Sequence, residues 1–179
     1  MKGVIFNELQ ELVEETFGYE VWDEVILQTM LPSEGVYTAS ATYEDQELFD
    51  IVAALSQKTG ISQPELVKIY GTYLFKTLMK SAPQEAKDAA NLRRFLMMLE
   101  NLIHVEVRKL FKEVNLPQFG YREDDDILTM LYTSPRKLCH LSEGLILGAA
   151  QHFSEEIELS HPVCMHEGHE HCQLQIKFL

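Results

Sequence analysis

Apolar residues in the first half of the chain recur every three or four positions. Phe6, Leu9, Val13 and Phe17 predict one helix, ended by Gly18. Trp22 to about Thr29 predicts a second, closed by Leu31-Pro32, and Asp45 to Thr59 a third, stopped by Gly60. Ser62-Gln63-Pro64-Glu65 reads as a helix start, with Ser62 as N-cap and Pro64 in the first turn. Leu66, Ile69, Tyr70, Tyr73, Leu74 and Leu78 then follow at helical spacing. A long helix is expected from about Ala86 or Asn91 to Phe111, and Pro117 closes the loop after it.

The period then changes. Ile127 to Thr133 is short and β-prone. Leu141 to Phe153 reads as a helix in which Gly144, Gly148 and Ala149 permit close backbone approach. Glu156 to Cys164 and Cys172 to Leu179 read as two strands joined by a tight, histidine-rich turn. In the last strand Cys172, Leu174, Ile176 and Phe178 share one face, and Gln173, Gln175 and Lys177 the other. The expected class is α+β. One domain spans 1–179, with a helical subdomain over 1–62 and, over 63–179, an antiparallel sheet with packed helices.

A chain of 179 residues, 46% hydrophobic, can bury a core and still enclose a cavity. Its formal net charge of -13 disfavours nucleic acid or an anionic membrane as partner, since both need a positive field. No apolar run approaches the roughly 20 residues that span a bilayer. The N-terminus enters an amphipathic pattern without the apolar stretch of a signal peptide, so a soluble, cytoplasmic protein is expected.

Three groups of residues could carry chemistry. His104 lies mid-helix, seven residues from both Met97 and Phe111, which stacks the three on one face. A histidine on an apolar helix face suits either a haem ligand or a satisfied core residue. If Tyr132-Thr133-Ser134-Pro135-Arg136 is extended, Tyr132, Ser134 and Arg136 point the same way. Two hydroxyls and a guanidinium then suit a carboxylate or a phosphate, and a plain polar strand face reads the same way. Cys139, His161, Cys164 and Cys172 have the composition of a closed tetrahedral zinc site, with His166, His169 and His171 as competing ligands. An odd number of cysteines, three, argues against a disulfide framework.

Together these residues resemble the haem–nitric oxide/oxygen-binding (H-NOX) family, related to the sensor domain of soluble guanylate cyclase. The likeness runs from Met1-Lys2-Gly3-Val4-Ile5-Phe6, through Phe95-Leu96-Met97-Met98 before His104, to an intact Tyr-x-Ser-x-Arg signature at Tyr132, Ser134 and Arg136. The resemblance implies a fold enclosing haem b. His104 would be the iron ligand, and Tyr132, Ser134 and Arg136 would hold the propionates. Pro117 would press on the porphyrin, and Ile5, Leu74, Leu78, Met97, Leu141 and Leu145 would line the pocket. Relatives that bind oxygen stably place a tyrosine where this chain, counted from Tyr132, has Leu141. The supporting polar and aromatic positions are Leu74 and Leu9.

The resemblance therefore implies a non-enzymatic sensor that binds nitric oxide, and also CO, while excluding O2. It also implies zinc held by Cys139, His161, Cys164 and Cys172, as in some bacterial members. The output would lie in a separate signalling protein, a histidine kinase or a cyclic-di-GMP enzyme. The alternatives are a zinc-stapled interaction or redox-sensing module without haem, and a haem enzyme. The last would need distal acid–base groups where this chain has leucines.

Overall fold

The computed structural model describes residues 1–105 and 115–179. Four substantial helices come first: α1 (Gly3–Phe17), α2 (Tyr19–Thr29), α3 (Asp45–Thr59) and α4 (Gln63–Lys80). The expected signals start and stop them. Gly18, at φ 93°, ends α1, and Gly60, at φ 75°, ends α3. The Ser62 side chain accepts from the Glu65 amide to cap α4, with Pro64 in its first turn.

Helix α4 is a wall shared by two apolar clusters. Leu66, Tyr70 and Leu74 pack with Phe6, Leu9, Val13, Trp22, Ile51 and Leu55 in the helical cluster. Phe75 and Met79, nearer its C-terminus, join the sheet cluster with Phe95, Leu128, Met130, Tyr132, Leu174 and Ile176. The single-turn α5 (Gln84–Lys87) and α6 (Leu92–Met97) follow, and then a π-helical turn over Leu99–Ile103 that leads into His104.

This departs from the continuous helix expected from Ala86 or Asn91. The Leu102 and Ile103 amides both donate to the Met98 carbonyl, which inserts a residue into the turn and breaks the heptad register. Met97 is accordingly 36% exposed while His104 is 8% exposed, so the two do not share one buried stripe. Phe111, the third member of that stripe, lies outside the described residues.

The second part is a four-stranded antiparallel sheet of order β1-β2-β4-β3, from β1 (Gln118–Asp124), β2 (Ile127–Thr133), β3 (Ile157–Val163) and β4 (Cys172–Phe178). Strand β1 was not expected. It is a polar edge strand, and its hairpin to β2 turns at Asp125-Asp126, with Asp125 at φ 46°. Alternation buries Leu128, Met130 and Tyr132 on β2 and Cys172, Leu174 and Ile176 on β4.

Helix α7 (Cys139–Phe153), between β2 and β3, lies against α4 at close range. A Cβ at Gly144 would stand 2.0 Å from the Lys68 carbonyl oxygen, and one at Gly71 would stand 2.4 Å from that of Leu141. Backbones this close exclude any side chain at either glycine.

Candidate functional site

The thiol cluster is built where α7 begins and the β3–β4 hairpin closes. Cys139 is the first residue of α7, Cys172 the first of β4, and Cys164 ends the run of β3. All three are buried, as free thiols. The ligand atoms of Cys139, His161, Cys164 and Cys172 lie within 4.8 Å of one another, and the Cys139 and Cys164 sulfurs are 3.8 Å apart. The Met165 amide donates to the Cys172 sulfur at 3.2 Å. Burial, with Cys172 and Cys164 close by, pushes the Cys139 thiol well above its ordinary value. Three such sulfurs become thiolates together only around a cation.

The fourth position is His161. Its Nε2 is buried without a hydrogen-bond partner among the described residues. Its Nδ1 meets Glu143 Oε1, so Nε2 is the nitrogen left free for a metal. Of the competing histidines, His166 Nε2 lies 2.8 Å from the Lys137 carbonyl, and neither His169 nor His171 belongs to the four-ligand group. The donor set fits zinc. Glu143 was missed by sequence reasoning. It is 7% exposed, it meets His140 Nδ1 at 3.2 Å, and its carboxylate lies 3.7 Å from Lys68 Nζ. Burial pushes the Glu143 carboxyl up, but His140 and His161 outweigh it and hold it at about 2.

His104 follows the π turn. Its Nδ1 is 3.3 Å from Glu100 Oε2, and the same oxygen accepts from the Phe119 amide of β1 at 3.1 Å. The rings of His104 and Phe119 stand 5.7 Å apart, and Phe119 in turn meets the ring of Tyr132. A histidine held through Nδ1 by a carboxylate has its ring orientation and basicity set, which suits an iron ligand.

Tyr132 and Ser134 are buried, with the Tyr132 phenol beside the Ser134 hydroxyl. Burial pushes that phenol up to about 12. The strand ends at Thr133, so simple alternation does not align the trio. A turn at Pro135-Arg136, with Lys137 at φ 50°, carries Arg136 round. The cause is Pro135, which has no amide to extend the ladder. The Arg136 guanidinium grips the Asp45 carboxylate, with Nη2 at 3.0 Å from Oδ1, and also reaches the Asn115 carbonyl. Asp45 begins α3 and also binds the N-terminal amine at 2.8 Å. The trio is thus a buried hydroxyl pair beside a guanidinium in a carboxylate-binding pose, which is the chemistry haem propionates need.

Leu74 is buried in the helical cluster, and Ile5, Leu141 and Leu145 pack against it. Leu9 is in the same cluster, Pro117 is half-buried, and Leu78 and Met97 are more open, at 40% and 36% exposure. Tyr70 donates to the Ile5 carbonyl, the Tyr43 hydroxyl accepts from the Thr38 amide at 2.8 Å, and Tyr73 faces Glu11 and Glu15 of α1. The apolar lining, the buried imidazole and the carboxylate-binding trio fit a haem.

The family model described as Haem-NO-binding matches residues 2–161. The structure is similar over 100% of the chain to that of an H-NOX protein from S. oneidensis in the Fe(II)NO ligation state. That protein is 36% identical, with 99% of its chain covered and a TM-score of 0.92. An Fe(II) unliganded H-NOX protein from K. algicida is 34% identical with a TM-score of 0.92, covering 100% of this chain and 97% of that one. Soluble guanylate cyclase gcy-34 from Caenorhabditis elegans is 24% identical over 157 residues, 84% of this chain. The chain spans 23% of the length of that curated relative. Among the described residues, no helix is long and apolar enough to cross a membrane.

Proposed function

The chain belongs to the Haem-NO-binding family, whose members are haem-based gas sensors, and we propose that it senses nitric oxide and excludes O2. Haem b supplies, when bound, an iron that takes NO or CO. His104 would hold that iron, and Tyr132, Ser134 and Arg136 would hold the propionates. Ile5, Leu74, Leu78, Leu141 and Leu145 would line the pocket, with Met97 and Pro117 on the side of the histidine.

The observation that carries the gas preference is the fate of the hydroxyls. Leu141 and Leu74, at the positions where oxygen-binding relatives carry polar groups, offer no donor, and Tyr70 has spent its hydroxyl proton on the Ile5 carbonyl. A polar iron–oxygen unit needs a donor that NO does not. The S. oneidensis relative, described in its Fe(II)NO state, supports the same ligand.

We read residues 1–179 as one sensor domain. His104 is joined through Glu100 to β1, so a change in its attachment is passed to the sheet edge and alters which surface a partner meets. The proposed partner is a cytoplasmic signalling enzyme, a histidine kinase or a cyclic-di-GMP enzyme. Zinc on Cys139, His161, Cys164 and Cys172 would staple α7 to the terminal hairpin.

Absorption spectra of the reduced, haem-loaded protein test this. The Soret band should shift on adding NO and stay unchanged in air. A stable oxygenated spectrum in air overturns the exclusion of O2, and a chain that takes up no haem overturns the sensor reading.

A further inference from the structure

We infer that Glu143 is the positioning residue of the thiol–histidine site, and that through it metal occupancy is coupled to the contact between α7 and α4. This rests on the zinc reading above and goes beyond it, because the outer partner of the ligand also determines what the metal controls.

The argument begins at the imidazole. His161 meets Glu143 through Nδ1, which leaves Nε2 buried and unpartnered among the described residues, on a ring that comes within 4.8 Å of the three sulfurs. Only the tautomer with its proton on Nδ1 satisfies both ends. A carboxylate on the far nitrogen fixes that tautomer, holds the ring in plane and makes Nε2 a stronger donor to a metal. Glu143 does this from another element. It sits on α7, eighteen residues before the histidine, and one turn after Cys139. One short helical segment thus supplies both a thiol ligand and the support for the imidazole ligand.

The same carboxylate faces the other way too. It lies 3.7 Å from Lys68 of α4, and it is followed at once by Gly144, whose Cα side meets the Lys68 carbonyl. That is the point where the two helix backbones touch. Leu141 and Leu145, one residue beyond Glu143's neighbours on each side, pack with Leu74 of α4 in the helical cluster. The chain of contact therefore runs from the sulfurs through His161 to Glu143, and on to Lys68 and the α4–α7 contact beneath the proposed distal leucines. His140 shares the carboxylate at 3.2 Å and stacks on His166, so it adds a second tie from the same glutamate to the hairpin.

The test uses the full chain, and its readouts do not depend on gas sensing. Zinc affinity is measured by competition with a chromophoric chelator for the wild type, Glu143→Ala, Glu143→Gln and Cys172→Ser. The wild type should take one zinc and Cys172→Ser none. Glu143→Ala should bind about 10- to 100-fold more weakly, the range seen when the outer partner of a metal-bound histidine is removed. Glu143→Gln keeps the shape and one acceptor, so it should fall between them and guards against a misfolded alanine variant. The ring nitrogen spectrum of His161 should show Nδ1 protonated in the zinc-loaded wild type and in Glu143→Gln.

Amide hydrogen exchange supplies the second arm. Removing zinc from the wild type should speed exchange in α4 around Lys68–Leu74, and removing it from Glu143→Ala should not. Wild-type affinity in both glutamate variants overturns the positioning role while leaving zinc in place. Exchange in α4 that ignores zinc in the wild type overturns the coupling. A wild type that takes up no zinc overturns the metal reading and this inference with it.

Discussion

Two histidines in this molecule are held in the same way and differ in almost everything else. His104 and His161 each present Nδ1 to a glutamate, Glu100 in one case and Glu143 in the other. Glu100 precedes its histidine by four residues, on the same segment. Glu143 comes from another element, and so do two of the three sulfurs around His161. The His161 site draws every ligand from the chain, within 4.8 Å of one another. The His104 site supplies one ligand and an apolar surround, and among the described residues it is tied to β1 through Glu100 and Phe119. One site should therefore behave as part of the scaffold. The other should behave as an adjustable attachment whose loss the scaffold survives.

The sharpest way to break this contrast is Cys172→Ser. Cys172 is fully buried, begins β4, and pairs across the sheet with Tyr132 of the carboxylate-binding trio. Losing a structural metal ranks with the largest single-residue effects, about 4 kcal/mol or more. Urea unfolding should show that loss in the zinc-loaded protein. A variant as stable as the wild type would mean that the thiol site is no staple.

His104→Gly should do the reverse. Folding midpoints should change little beyond the loss of one helical side chain. NO-dependent change in partner affinity, which for such couplings is typically about 5- to 150-fold, should vanish. Regulation that persists in this variant would show that the signal does not pass through the His104 attachment.

What could be read from the sequence divides along the same line. Helices α1, α3 and α4 follow from apolar period and capping residues, and the alternation in β4 follows from Cys172, Leu174 and Ile176. The four proposed zinc ligands were legible because their chemistry is rare and a hairpin was expected to join them. His104 and the Tyr132, Ser134, Arg136 trio were weak as isolated residues and gained weight only from the family pattern. Strand β1 escaped because only Phe119 and Tyr121 in it have an apolar face to bury. The π turn escaped because one inserted residue leaves no mark on composition. Glu100, Glu143 and Asp45 escaped for a common reason. Each has a partner set by tertiary structure, the Phe119 amide for Glu100, His161 for Glu143 and, 91 residues away, Arg136 for Asp45, and nothing local separates them from the other acidic residues of a chain with 28.

Asp45 gives the next test, because it joins the helical part to the trio. Burial pushes its carboxyl up, but Arg136 and the N-terminal amine outweigh this and hold it below its ordinary 3.8. A carboxyl lowered on folding stabilises the fold fully above its unfolded value, and the gain fades as pH falls below it. Asp45→Asn should therefore cost about 1–2 kcal/mol near neutrality, between exposed and buried ion pairs. The gap between variant and wild type should narrow as pH drops below about 4. A gap that does not change with pH would assign the effect to packing rather than charge.

The smallest expected effect tests whether the two glutamates are truly parallel. Glu100→Gln keeps an acceptor near both the Phe119 amide and His104 Nδ1 and removes the charge. A hydrogen bond to a neutral acceptor is weaker than one to a carboxylate, so stability should fall by about 0.5–1.5 kcal/mol. The informative readouts are local. Exchange at the Phe119 amide should quicken, because its acceptor is poorer. The iron–histidine stretch of the reduced haem-loaded protein should move to lower frequency, because the imidazole becomes a weaker donor. If the amide responds and the stretch does not, Glu100 ties the segment to β1 without tuning the histidine. His161 would then be the one histidine of the two whose chemistry its glutamate sets. If both respond, the same device serves a fixed metal on one side of the molecule and an adjustable one on the other. The difference between the sites would then lie in how many ligands the chain supplies.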